Sequence, residues 1–423
     1  MLNINFIREN QELLKKAVRD KQMAEDLIDR LLGVDDRRRE LIERIDSLRA
    51  QRNEAARSRN IDLGKEVKIK LGELEPQLKE VEEQYFKLML EVPNVPSEDT
   101  PIGKNEENNL ILETWGEKPN FNFSPLSHIE LSEKLDLIDL KKGAQTSGFR
   151  GYYLKNAAAK LHFAVLFYAW QKIVEVGFNP MVPPTILKEF AFVGSGHFPF
   201  FKEDVYQIAN PGLLASGEKI IDSEYLAGTA EPSLLAYFAN TVLREADLPI
   251  RVAGWTPCYR SEAGSYGKDT QGIYRVHEFA KVEQVVLCQA DNKISDQWLE
   301  EMKNISAGIL RDLGLPYRVV QVCTGDMGAG KRKMYDIETW MPSRNDYGET
   351  HSDSNLTDWQ SRRLNICYLN KQGKKVLVHT LNNTVLASPR ILVAILENYQ
   401  QPDGSIIIPQ VLRGLVGIEK ITL

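Results

Sequence analysis

The residues best equipped for chemistry lie between Cys258 and Glu283, in the run CYRSEAGSYGKDTQGIYRVHEFAKVE. Arg260 and Glu262 stand two apart at the end of the apolar run Ile250 to Cys258, and His277, Phe279, Lys281 and Glu283 alternate through the next run. Strand periodicity puts each alternating set on one face of a sheet. A face carrying Arg, Glu, His, Phe, Lys and Glu is a poor core, because buried charges need partners. Charges of both signs gathered there would suit a site that holds charged groups. The alternative, a solvated face of an antiparallel hairpin, stays open on this run alone.

Two further stretches carry chemical residue types. Gly325 to Lys331 (GDMGAGK) satisfies the first seven positions of a phosphate-binding loop, but Arg332 follows where a metal-binding Ser or Thr is required. The strand-like KMYDIETW comes next where a helix should begin, so the glycines are read as a turn. His351 to Asn355 (HSDSN) reads as a polar loop by itself; Glu349 and Ser352 could hold a hard cation through oxygen.

These residues need a scaffold, and 423 residues with 43% apolar side chains can build a large core in two or three domains. A net charge of -6 excludes a uniformly basic nucleic-acid coat but leaves a local basic patch possible. Cys258, Cys288, Cys323 and Cys367 are far apart and form no zinc-ligand spacing, so neither a disulfide framework nor zinc is expected. The start MLNINFIREN has no signal-peptide core and no apolar run reaches about 18 residues, so a soluble cytoplasmic protein with no membrane segment is expected.

From about Ile28 to Leu90 the chain is charged and helical in period. Val67, Leu71, Leu74, Leu78, Val81, Tyr85 and Leu88 alternate steps of four and three, the seam of a coiled coil, with Leu41, Ile45 and Leu48 as its cover. An antiparallel two-helix hairpin follows, with its turn near Asn60 to Gly64 and a kink or restart expected at Pro76. Around the turn, Arg49, Arg52, Arg57, Arg59, Lys65, Lys68 and Lys70 face only Glu54, Asp62 and Glu66. Such a basic tip is either a solvated charge run or a sequence-tolerant grip on nucleic-acid phosphates. VPNVP at Val92 to Pro96 ends the helix, and Ser97 to Asn109 reads as a polar linker between a helical domain, 1–100, and a mixed domain, 101–423. Beyond it come a helix from Ala157 to Val176, a strand to Val182, and a helix from Ser295 to Leu313. Strands follow near Lys333 to Trp340, Arg362 to Leu369 and Lys375 to Leu381, then a final helix capped by Ser388 and Pro389.

Set in order, these pieces resemble a seryl-tRNA synthetase of the bacterial type, a class II aminoacyl-tRNA synthetase, over essentially the full length. The matching residues are the arm; Thr229-Ala230-Glu231; Arg260-Ser261-Glu262-Ala263-Gly264, Asp269-Thr270, Gly272, Arg275, His277, Phe279 and Val282-Glu283; Glu349, Ser352, Ser354-Asn355, Thr357-Asp358, Gln360 and Arg362-Arg363; and LVAILENYQQPDGSI from Leu392. The resemblance implies an α/β (α+β) fold: an antiparallel-sheet catalytic domain behind an N-terminal antiparallel two-helix coiled-coil arm. It implies activation of L-serine by ATP and Mg2+ to the adenylate, then transfer to the 3' end of tRNA(Ser). Arg260, Glu349 and Arg390 would be catalytic, with Arg260 clamping the carboxylate and α-phosphate. Glu262 would read the adenine amino group, with Phe279 beneath the ring, the backbone near Val276 beside it and Arg390 above. Ser261, Thr350 and His351 would line the ATP site, and Glu349 and Ser352 would bind Mg2+. Thr229, Ala230 and Glu231 would receive the serine ammonium, and Glu283, beside Thr384, the hydroxyl.

The resemblance further implies a homodimer formed through the Ala157 helix and the strand to Pro184, with the basic arm gripping tRNA backbone shape. The chain departs from the family near its end: Asn382-Asn383-Thr384-Val385 and Pro389-Arg390 replace Asn-Gly-Ser-Gly and Gly-Arg. Thr384 adds a methyl that could reshape the serine pocket. Two alternatives follow, a relative that activates another small amino acid and a catalytically silent RNA-binding paralogue.

Overall fold

The computed structural model describes residues 1–210, 212–213, 216–218, 222–262 and 271–422. The chain divides into two compact units, Met1–Val95 and Pro96–Leu423.

In the first unit, two short helices, α1 (Ile4–Glu9) and α2 (Gln11–Asp20), precede two long ones, α3 (Leu27–Arg57) and α4 (Ile61–Glu91). Leu41 and Ile45 of α3 are buried against Val67, Leu71, Leu74 and Val81 of α4, so the heptad seam does pair the helices. Each such side chain contributes about 1.5–3 kcal/mol by leaving water. The turn lies at Ser58 to Asn60 rather than Asn60 to Gly64, because the Asn60 side chain caps α4 by accepting from Leu63 N at 3.1 Å. Nor does Pro76 restart the helix: α4 runs through it, and Pro76 sits on the exposed face. The lost hydrogen bond and the ring crowding therefore fall away from the seam. Asp35, fully buried in α3, is held by Arg8 of α1, whose Nε donates to Oδ2 at 2.7 Å.

The second unit is organised by an eight-stranded sheet among the described residues. In chain order its strands are β1 (Leu110–Trp115), β2 (Asn179–Met181), β3 (Ile250–Tyr259), β4 (Glu278–Cys288), β5 (Tyr317–Gln321), β6 (Lys333–Met341), β7 (Asp346–Thr357) and β8 (His379–Ser388). Across the sheet they run β1-β5-β6-β7-β8-β4-β3-β2, antiparallel except for the β2–β3 pair. Helices α5 (Asn156–Glu175), α6 (Asn292–Asp312) and α7 (Arg390–Asn398) contribute Leu161, Leu299 and Leu392 to one large core with Val282, Val286 and Leu381 of the sheet. Among the described residues the other face is covered only over part of its length: Val285 and Leu287 of β4 pack with Ala230, Leu234 and Leu235.

Several local expectations are corrected. Arg362 to Leu369 is not a strand; a helix over Trp359–Leu364 precedes a three-residue strand, Cys367–Leu369, because Asn365 adopts a left-handed conformation that ends the helix. Lys375–Leu377 is a short strand on Cys367–Leu369, and the main-sheet strand begins at His379. HSDSN is strand, within β7. Ser388 does not cap α7: it ends β8, its hydroxyl lies 2.8 Å from His162 Nδ1, and Pro389 holds the cap position. Segment 97–109 is not a free linker but part of the second unit, with Ser97 N donating to Arg332 O at 2.8 Å and Thr324 N to Pro101 O at 2.9 Å.

Candidate active site

Alternation along β4 builds the site. Phe279, Lys281 and Glu283 share a face with Val285 and Leu287, but the last two meet the core while the first three lie where that cover stops. The charged half of this strand is thus neither core nor plain solvated surface. Across from Glu283, in register, stand Gly254 of β3 and Thr384 of β8. A Cβ on Gly254 would come within 3.0 Å of the Ala230 Cβ, so only glycine lets the segment preceding Glu231 approach the strand so closely.

Two bulges aim the remaining side chains. In β8, Val385 is an extra residue between the pairs Thr384–Glu283 and Leu386–Val282, so Thr384 and Ala387 both face the cavity. In β7, Thr350 is extra between Glu349–Glu338 and His351–Ile337. Glu349 and Ser352, three apart in sequence, are thereby opposite Glu338 and Asp336, which share one face of β6. The cavity between these strands is lined by Arg260, Glu262, Val276, Phe279, Glu349, Thr350, Thr384 and Arg390, together with Tyr274, Arg275 and Lys281.

Arg260 is anchored by Nε donating to Gly228 O at 3.2 Å, and its guanidinium stands 5.3 Å from the Phe279 ring centroid. Glu262, at φ +53, receives Arg275 Nη1 at 3.0 Å, with Arg150 Nη1 at 3.7 Å. Arg390 donates to Tyr274 O at 3.3 Å and to Glu349 O at 3.1 Å, pairs with Glu349 Oε2 at 3.3 Å, and lies over the Tyr274 ring at 4.7 Å. Behind the lining residues Lys281 and Thr384, Glu283 Oε2 is 2.7 Å from Lys281 Nζ and receives Thr384 Oγ1 at 3.4 Å. Glu231 accepts from Gln360 Nε2 at 2.6 Å and Asn382 Nδ2 at 2.9 Å, and Thr229 Oγ1 accepts from Glu231 N at 3.4 Å.

The electrostatics separate the acids by role. Desolvation opposes ionisation of Glu349, but the charges of Arg390 and Arg260 outweigh it and hold its carboxyl below the usual range. Its neighbour Asp336 is pushed well above that range by burial and by the charge of Glu349. Burial also raises Glu283, partly offset by Lys281. His351 is buried and lowered to about 4 by desolvation, its Nδ1 2.8 Å from Thr350 Oγ1; it is a neutral wall residue rather than a base.

Not every expected residue reaches the cavity. The Ser261 hydroxyl donates to Glu203 O at 2.7 Å, and His351 lies behind the wall. Thr229, Ala230 and Glu231 are buried beside Gly254 and Asn382. Ala263, Gly264, Asp269 and Thr270 fall outside the described residues. Gly272, at φ +71, is required by His128: a Cβ there would sit 1.9 Å from its Nε2. Tyr274, Arg275 and Lys281 were given no role from sequence; the alternation through β4 carried the signal for Lys281, and the acid–apolar alternation Asp336-Ile337-Glu338 for the face opposite Glu349. Among the described residues no cluster of three or more His, Cys, Asp and Glu forms a ready metal cage. An ionised Glu349 with a hydroxyl on the same face still fits a magnesium ion, which takes few protein ligands and completes its shell with water and phosphate.

The same unit matches the tRNA synthetase class II core domain (G, H, P, S and T) over residues 218–399, and residues 1–96 match the seryl-tRNA synthetase N-terminal domain. The serine–tRNA ligase of Deinococcus radiodurans is 44% identical over 430 residues, 99% of this chain and 98% of that protein. The chain belongs to the seryl-tRNA synthetase family. The serine–tRNA ligase of Treponema denticola is 37% identical with full coverage of both chains. A seryl-tRNA synthetase from Pyrococcus horikoshii, solved as a complex with ATP, superposes with a TM-score of 0.90 at 35% identity, covering 100% of this chain and 99% of that one. The cytoplasmic enzyme of Naegleria fowleri, solved with AMP, gives 0.88 at 30% identity, with 100% and 99% covered. The family assignment thus rests on both units, the arm as well as the sheet.

Proposed function

We propose that this chain activates L-serine with ATP to seryl-adenylate and transfers the seryl group to the 3' end of tRNA(Ser). What supports the reading most is one cavity lined by Arg260 together with Thr384, Glu349, Arg390 and the Phe279 ring, with full-length family membership behind it. Thr384 and Lys281 line it and hold the buried Glu283, and Glu231 is buried beside Asn382. Arg260 clamps the serine carboxylate and the α-phosphate, where charge develops as the adenylate forms. Phe279 and Arg390 sandwich adenine, Val276 lies beside it, and Glu262, held between Arg275 and Arg150, accepts from its amino group. Glu231, with Thr229 and Ala230, takes the serine ammonium. Bound at Glu349 and Ser352, Mg2+ would neutralise phosphate charge and orient the leaving pyrophosphate. Both chemical steps then depend on placement more than on a base, in keeping with a neutral His351.

The arm contributes the tRNA grip. Arg49, Arg52, Arg57, Arg59, Lys65, Lys68 and Lys70 are all exposed around the turn; Arg49 and Lys70 have ion pairs to Glu75 at 3.0 Å and Glu66 at 2.5 Å. The enzyme works as a cytoplasmic homodimer: Phe163 and Val182 are 63% and 88% exposed, apolar surface suited to a two-fold interface through α5. Amino-acid-dependent pyrophosphate exchange with serine, threonine, alanine and glycine tests the function. Serine is expected to exceed each of the others by at least about 100-fold in kcat/KM; a preference for another amino acid sinks the reading.

A further inference from the structure

Lys281 is the cavity's charged group without a role in the reading above. It is 6% exposed on β4, two residues from Glu283 and on the same face. Its Nζ lies 2.7 Å from Glu283 Oε2 and donates to Thr384 Oγ1 at 3.4 Å, while Thr384 Oγ1 stands 3.4 Å from the same Glu283 oxygen. An ammonium has three donors and a carboxylate two oxygens. Among the described residues, one Lys281 N–H and Glu283 Oε1 take no part in these contacts. A donor and an acceptor thus stand side by side where Lys281 and Thr384 line the cavity. A hydroxyl is the group that satisfies both at once, because it accepts and donates through one oxygen.

We propose that Lys281 is a specificity-determining residue: it donates to the hydroxyl oxygen of the bound amino acid while Glu283 accepts that hydroxyl's hydrogen. The inference rests on assigning Glu283 to the amino-acid side chain. A methyl in that place would leave a buried ammonium and a buried carboxylate each short of a partner, so alanine is rejected twice over. Lys281 also keeps Glu283 in the accepting form. Burial and the neighbouring charge of Glu231 raise the Glu283 carboxyl, and Lys281 and Lys331 oppose that rise; buried Asp353 acts on it as a further acid, and the Cys258 thiol and Thr384 hydroxyl complete its surroundings. The raised group accepts only above its pKa, so serine use falls as pH drops through that value, and loss of Lys281 moves the fall to higher pH.

The test is serine- and alanine-dependent pyrophosphate exchange from pH 5.5 to 9 for the wild type, Lys281→Met, Glu283→Gln and the double variant, with thermal melting to check folding. For Lys281→Met the expected result is a rise of about 100-fold in KM for serine, a serine-to-alanine preference lowered by about as much, an acid limb moved upward, and a KM for ATP within about 3-fold of wild type. An unchanged preference with an unmoved limb overturns the proposal. Should Lys281→Met not fold, Glu283→Gln still decides: loss of the acid limb supports it, and a persisting limb overturns it. The double variant is expected to be within about 3-fold of Glu283→Gln, because the two side chains read one hydroxyl; full additivity overturns the proposal. If wild type itself prefers a substrate without a hydroxyl, the serine reading fails first, and wild-type data alone show that.

Discussion

At the scale of single residues, Arg390 carries the most separate duties. Its guanidinium bonds two backbone carbonyls, pairs with the Glu349 carboxylate and lies over the Tyr274 ring, and Glu349 in turn raises its pKa against the cost of burial. Lysine would keep the charge but lose the planar fork, so these contacts could not be made together. Arg390→Lys is expected to raise the KM for ATP by about 10-fold or more, at roughly 1.4 kcal/mol per decade, and to leave the KM for serine within about 3-fold. Equal losses for both substrates in steady-state exchange would remove Arg390 from nucleotide binding. The residue types at this site were legible because charge was placed where a strand should be apolar. Their partners were not: that Glu262 is held by Arg275, or that Lys281 meets Glu283, depends on loop and strand geometry no residue type announces.

Among the elements, the hairpin of α3 and α4 was the most legible, because a four–three seam leaves few other ways to bury its apolar stripe. The errors in it were local. Asn60 outranked the nearby glycine by capping α4, and Pro76 was harmless because it faces solvent. The bulges at Thr350 and Val385 could not be read at all, since a bulge is a relation between two strands rather than a property of one, yet they bring Glu349 to the face of Ser352 and Thr384 to that of Ala387. The hairpin also makes its own prediction. Arg52, Arg57 and Lys68 are exposed and have no ion pair among the described residues, so reversing them leaves the seam intact. The triple change to glutamate is expected to raise the KM for tRNA by at least about 10-fold and flatten its salt dependence, with serine-dependent exchange unchanged. Aminoacylation kinetics at two ionic strengths would decide, and an unaltered KM would take the tip out of tRNA binding.

For the whole molecule, the division at Val95 and Pro96 separates two kinds of work. Every residue assigned to serine or ATP lies in the second unit, which has its own large core, whereas the basic tip lies in the first, closed by its own seam and the pairing of Arg8 with buried Asp35. A unit with its own core and its own cavity has what adenylate formation needs, and binding energy from the arm bears on the second substrate alone. A chain beginning at Pro96 is therefore expected to retain serine-dependent pyrophosphate exchange within about 3-fold while losing about 100-fold or more in tRNA charging. Thermal melting must first show that the shortened chain is folded. If it folds but exchange collapses, residues 1–95 help to build the catalytic site. If charging persists, the tRNA is held elsewhere, and the basic residues around Asn60 are only the solvated end of a long hairpin.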